Sequence, residues 1–149
     1  MKNMKSRTFL RALDDRRIVA AIRLAESRTR AEIRVHVTHA RVEDATVAGA
    51  AAFEKLGMTA TAERSGVLLF VAPASRACAV LGDTAIHQRC PEGFWSAVAE
   101  AMAAQFRAGR FTEGVLAGIE AAGAELARHF PRRPGEKDDN ELPDTVSRD

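Results

Sequence analysis

Long apolar runs, cysteines and glycine-rich phosphate loops are what this sequence has least of, and each shortage removes a class of function. No segment reaches the roughly 20 apolar residues that a membrane-spanning helix needs. Residues 1–13 are charged at Lys2, Lys5, Arg7 and Arg11 and contain no apolar stretch of secretory-signal length. Cys78 and Cys90 are the only cysteines and are far from a CxxC spacing. They predict free thiols in a reducing compartment, and hence a cytoplasmic location. A formal net charge of +2 over 149 residues gives nucleic acid no basic platform. There is no P-loop and no GxGxxG, and Ser65 and Ser75 lack a GxSxG context, so nucleotide binding and a serine-hydrolase elbow have no support.

What the chain does have is length for one domain with a proper core, and a centre. Val67 to Val71 is an unbroken apolar run, short and rich in strand formers, which predicts a strand covered on both faces. Pro73, Ala74 and Ser75 mark a tight connection into a second strand over residues 76–81, so residues 66–83 form a hairpin. Upstream, Ile33, Val35 and Val37 alternate with Glu32, Arg34, His36 and Thr38, the pattern of a half-covered strand at a sheet edge.

Helical spacing occupies the flanks. Phe9, Leu10 and Leu13 suit a short lead-in ending at Asp14, which with Asp15 can cap a helix whose apolar side is Ile18, Ala21, Ile22 and Ala25. Arg16, Arg17, Arg23 and Arg28 take its outer face. Glu43 and Asp44 open a crossover helix that Gly57 stops. Pro91 fits the first turn of a helix lined by Trp95, Val98, Met102 and Phe106. Thr112 fits the cap of the last helix, in which Gly118 and Gly123 predict close approach to the sheet. The fold class is therefore α/β, a βαβ unit plus an antiparallel hairpin strand in a small mixed sheet with helices on both faces. Residues 1–13 form the lead-in, residues 14–130 the domain, and the proline-rich, apolar-poor residues 131–149 a disordered acidic tail. Residues 1–34 carry ten Lys or Arg against four Asp or Glu, and residues 136–149 carry six acidic residues against two basic ones. Head and tail can attract each other, bind different partners or maintain solubility.

Chemistry-bearing residues are few. In an open α/β sheet, ligands gather beyond the carboxyl ends of the parallel strands, which places Glu43 and Asp44 as candidate ligands for a hard cation, calcium or magnesium. Asp83, His87 and Glu92 follow the third strand, where a carboxylate and an imidazole can act as cation ligands or as an acid/base pair. His36 and His39 look like an HxxH pair, but their odd separation on a strand points them to opposite faces, so joint zinc ligation needs a bulge.

Thr29, Ala31, Glu32 and Ile33, then Ser65 to Leu69, then Val80 to Asp83, and finally Gly109, Phe111 and Gly114 to Leu116, in this order, resemble the TPM domain family over roughly residues 27–130. That family includes thylakoid-lumen proteins linked to photosystem repair and many bacterial envelope proteins. The resemblance implies a three-layer α/β/α sandwich with a mixed sheet. It also implies acid-phosphatase activity or binding of calcium-like cations, proposed for some members, through acidic loop residues at strand ends. Where relatives carry an acidic residue and then Asn, this chain has Arg64 and Ser65, with Glu63 adjacent. With no complete catalytic set, the expectation is a non-catalytic interaction module serving an envelope or membrane-protein system. Its protein partner, which can be membrane-associated, would meet Arg16, Arg17 and Arg23. The alternatives are a weak cation-dependent phosphatase built on Asp83, His87 and Glu92, with Glu43 or Asp44, and a cation-regulated binding domain.

Overall fold

Seven consecutive buried residues, Gly66–Ala72, form strand β2 of the computed structural model, which describes residues 6–132 and 142–149. The elements run α1 (Ser6–Ala12), α2 (Asp15–Glu26), β1 (Glu32–Val37), α3 (Ala45–Lys55), β2, a 3-10 turn (Pro73–Ser75), β3 (Ala77–Gly82), α4 (Thr84–Arg89), α5 (Phe94–Arg107), α6 (Phe111–His129) and β4 (Ser147–Arg148). The sheet order is β3-β2-β1-β4. β1 and β2 are parallel, with Ile33 opposite Val67 and His36 opposite Phe70. β3 returns antiparallel. This is the expected βαβ unit and hairpin.

Alternation on β1 and β2 sorts the side chains between two cores. Ile33, Val35, Val37, Val67, Leu69 and Val71 meet Ile18 and Ile22 of α2, Met102 of α5 and Ile119 and Leu126 of α6. On the opposite face Leu68, Phe70 and Ala72 meet Phe53 from α3, Met58 and Leu142. Helix starts follow the expected chemistry at Asp14, which accepts from Arg17 N–H, and at Asp44, which accepts from the N–H groups of Thr46 and Val47. Gly57 is left-handed at φ 71° just past α3.

Several expectations give way. β1 is not an edge strand, because β4 pairs with it in parallel at His36–Ser147 and Val37–Arg148. Its polar face looks half-covered in sequence only because the cover comes from residues more than a hundred positions away. For the same reason residues 142–149 do not form a loose tail: Leu142 is buried and Ser147–Arg148 join the sheet. The rest of the acidic tail, residues 133–141, lies outside the described residues. The lead-in also belongs to the body, with Phe9 and Leu13 in the main core. Thr112 is not a cap. Helix α6 begins at Phe111, and the buried Thr112 hydroxyl donates to Ala12 C=O and accepts from Asp14 N–H, tying α6 to the α1–α2 joint. Pro91 precedes α5, whose start is delayed by the left-handed Gly93 at φ 83°. A Cβ at Gly118 would come within 2.8 Å of Leu69 and 2.6 Å of Met102, as close approach to the sheet requires, whereas at Gly123 it would meet Ala25 of α2 instead.

The C-terminal segment is tied down by acids. Asp144 pairs with Arg23 at 3.3 Å, one local instance of basic head meeting acidic tail. Buried Glu26 accepts from Ile33 N–H at 2.9 Å. Burial above all pushes its carboxyl up to about 8, with the Asp144 charge adding to the rise and the Ile33 N–H opposing it. From its ordinary 4.5 up to about 8 the folded chain holds a proton that the unfolded chain has released. This stabilisation is therefore present below the unfolded value and is lost as pH rises through the folded one, at no more than about 1.4 kcal/mol for each pH step of one between the two values. Glu26→Gln mimics the protonated acid, keeping an oxygen for Ile33 and an N–H for Asp144. Denaturant unfolding at intervals between pH 5 and pH 8 should show the variant gaining steadily on the parent as pH rises; parallel curves would contradict the assignment.

Candidate functional site

The corner after β3 is built by a left-handed residue and a helix cap. Arg64, at φ 54°, turns the chain into β2, and its guanidinium grips Asp83 with Nε donating to Oδ2 at 2.9 Å and Nη2 donating to Oδ1 at 3.0 Å. Asp83 Oδ1 also accepts from Thr84 N–H at 2.7 Å, capping α4. The Asp83 side chain is 3% exposed and that of Arg64 48%, so a buried carboxylate is neutralised by a half-exposed fork. The hydrogen bonds to Asp83, then its charge, hold the guanidinium more firmly protonated than an ordinary arginine. A side chain at the position where the resemblance implies a carboxylate thus supplies the positive charge itself.

A cleft of about 400 Å³ opens here, lined by Glu54, Arg64, Asp83 and His87 among others. Asp83 and His87 therefore line one cleft. Glu92 does not join them, because it lines a neighbouring groove that also reaches His87. Glu43 and Asp44 are farther still. Gly82 lies opposite Val67 at the start of β2, whereas Asp44 caps α3 beyond the end of β1, so the two acidic groups sit at opposite ends of the sheet. A single cation shell drawn from all four carboxylates has no common centre. Of the arginines on α2, Arg17 pairs with Glu113 at 3.6 Å and Arg23 with Asp144, while Arg16 is exposed.

The neighbouring groove, about 870 Å³, runs along β3 between Thr46 on the α3 side and Trp95, Ala99 and Ala103 on α5. Among the described residues β3 is the last strand on its side of the sheet. Asp83 N–H donates to Gly66 C=O, and antiparallel alternation then points the N–H and C=O of Leu81, Ala79 and Ala77 toward β2 and those of Gly82, Val80 and Cys78 toward the groove. Cys78 is half-buried against the main core. Its thiol donates to Ala99 C=O at 3.3 Å and is pushed up to about 11 by burial.

Three groupings escaped the sequence. The imidazoles of His36 and His39 converge on the Asp149 carboxylate, which also accepts from the Thr38 hydroxyl and His39 N–H. Strand parity does not separate them because β1 ends at Val37. Burial lowers the pKa of His36, and Thr38 and His39 hold that of Asp149 far below the usual carboxylate range. Glu26 with Asp144 is the second. The third is Cys90, Glu125 and His129, whose ligating atoms lie within 4.8 Å of one another. The i, i+4 spacing of Glu125 and His129 on α6 was a readable signal, but nothing in the sequence brings Cys90 to them.

The sequence profile of the TPM domain matches residues 4–125. Among solved structures the chain is similar to the BA42 protein of the psychrophilic bacterium Bizionia argentinensis, determined by NMR, at 36% identity and a TM-score of 0.81, covering 91% of this chain and 92% of that one. It is similar in fold alone to the N-terminal domain of a protein from P. gingivalis, at 21% identity and a TM-score of 0.53 over 76% of each chain. No curated protein matches.

The Arg64–Asp83 pair makes a direct prediction. Arg64→Ala should lower the melting temperature by stranding a buried carboxylate, Arg64→Lys should fall between it and the parent, and Asp83→Asn should cost much less in the Arg64→Ala background than alone. Additive losses in this double-mutant cycle would show that the two side chains do not act as a unit.

Proposed function

The chain belongs to the TPM domain family, and on that premise we propose that it is a non-catalytic interaction module that takes an extended peptide segment of a protein partner along the free edge of β3. The observation that carries this reading is the groove itself, where an edge strand with outward-facing backbone groups is flanked but not covered by α3 and α5. Exposed edges are normally blunted by proline, charge or a covering element, and β3 consists of Ala, Cys, Val, Leu and Gly. Main-chain pairing would supply affinity, and the mixed walls, with Trp95 and Ala99 beside Glu92 and Arg107, would supply selectivity.

The family includes envelope-associated proteins, so the partner in this reading is a component of an envelope or membrane-protein system. No helix among the described residues is long and apolar enough to cross a membrane. Two free thiols favour a reducing, cytoplasmic setting. The outer face of α2, with Arg16, Arg17 and Arg23, offers a secondary contact for an acidic surface or anionic lipid.

A second reading, a weak cation-dependent phosphomonoesterase, is favoured by Asp83 and His87 lining one cleft. Calcium or magnesium would have to displace Arg64 from Asp83 to act there, and the same applies to a purely cation-regulated binder.

The two readings separate in one set of measurements. Binders selected from a library of extended peptides should raise hydrogen-exchange protection at Cys78, Val80 and Gly82 by tenfold or more and leave the α2 amides unchanged. The full chain should release no phosphate from a generic monoester with magnesium or calcium above the rate of an Asp83→Ala control. Binders that leave the β3 amides unprotected would overturn the docking reading, and chelator-sensitive turnover lost in Asp83→Ala would establish the enzymatic one.

A further inference from the structure

A thiol, a carboxylate and an imidazole converge where the end of α4 meets the last turns of α6. Cys90 closes α4, with its N–H donating to Ile86 C=O at 3.0 Å, which fixes the backbone from which the thiol projects. Glu125 and His129 stand one helical turn apart on α6, the spacing that puts two side chains on one face. The Glu125 side chain is 7% exposed and that of His129 25%, so the carboxylate is withdrawn from water while the imidazole keeps a path to it. His129 Nε2 lies 2.6 Å from Glu125 Oε1.

We propose that Cys90 Sγ, Glu125 Oε and His129 Nε2 bind one zinc-like divalent cation, with the fourth position open to solvent. Among the described residues these side chains are the group of three whose ligating atoms gather within 4.8 Å. Tetrahedral zinc with bonds of about 2.0–2.3 Å places its ligands roughly 3.3–3.8 Å apart. The group therefore needs only a rotamer adjustment that opens the Glu125–His129 contact and draws in the thiol.

The donor set selects the metal. Sulfur and imidazole nitrogen favour zinc and its neighbours over calcium and magnesium, which take oxygen shells. Charge balances as well, since a thiolate and a carboxylate neutralise a dication and the complex can sit in the half-buried corner without net charge. Arg128 approaches Glu125 at 3.7 Å, and Arg89 donates to His129 C=O at 3.2 Å. Neither occupies His129 Nε2 or the thiol. On binding, the Cys90 S–H bond breaks, the sulfur lone pair goes to the metal and the proton goes to solvent; the proton held between His129 Nε2 and Glu125 Oε1 also leaves, to solvent, with the neutral imidazole keeping its proton on Nδ1, so that Nε2 and the carboxylate each present a lone pair to the metal. Cys90 also lines the β3 groove, but the site depends on none of the docking argument.

Cobalt makes the site visible. One equivalent of Co²⁺ added to the full, reduced chain should give a thiolate-to-metal charge-transfer band in the near ultraviolet with tetrahedral d–d absorption, both erased by one equivalent of Zn²⁺. Cys90→Ser and His129→Ala should abolish the charge-transfer band or weaken cobalt affinity tenfold or more, with circular dichroism reporting that each variant is folded, and Cys78→Ser should leave the band intact. Zinc should also slow alkylation of Cys90 and not of Cys78. No band in the parent, or a band that survives Cys90→Ser, would overturn the proposal.

Discussion

A polar strand face buried inside a sheet must find partners for its hydrogen-bonding groups, and β1 imposes that requirement here. Glu32, His36 and Thr38 lie on one side of the strand direction and are each 4% exposed. An unpaired polar group in such a place costs about 1–3 kcal/mol. Helix α3 covers β2 and β3 on that face and leaves β1 to another cover. The C-terminal residues provide it: Ser147 Oγ meets His36 Nδ1 at 3.0 Å, Asp149 gathers Thr38, His36 and His39, and Leu142 fills the apolar gap beside Gly66.

That arrangement decides which edge is available. With β4 against β1, among the described residues the sheet ends in the six-residue β3 on one side and in the two-residue β4 on the other, so β3 offers the longer edge. The same end of the hairpin holds Asp83, whose carboxylate is consumed by Arg64 and by the start of α4. A carboxylate used as a cap and a salt-bridge partner has little left for a cation, which is why the geometry leans toward docking at the strand edge and away from chemistry at the corner. The thiol–carboxylate–imidazole group lies at the α4–α6 joint, away from the Asp83 corner, with Cys90 also lining the β3 groove.

The parts of this architecture that local pattern encodes were legible. Five apolar residues in β2, the Pro73 turn, the caps at Asp14 and Asp44 and the apolar stripes of α2 and α5 all follow from periodicity and capping within a few residues. What the sequence hid was long-range covering. Alternation on β1 marks one face as polar, but cannot distinguish solvent from a distant, acidic, proline-bearing segment. Composition alone makes residues 142–149 look unfolded, because eight residues with two hydrophobes, Leu142 and Val146, lean on cores built by distant elements and are held by specific hydrogen bonds and ion pairs rather than by a core of their own. Arg64 stands out in the sequence as a departure from the family pattern just before β2. That it reaches across 19 positions to Asp83 is a tertiary fact. The meeting of Cys90 with α6 is another.

Native-state hydrogen exchange on the full chain and on a chain ending at residue 141 tests the role of that C-terminal cover most directly. Removing residues 142–149 should cut protection at the β1 amides of residues 36–38 by at least tenfold while β2 and β3 remain protected, because their ladder and both helical layers over them stay in place. Equal protection of β1 in the two chains would contradict the account.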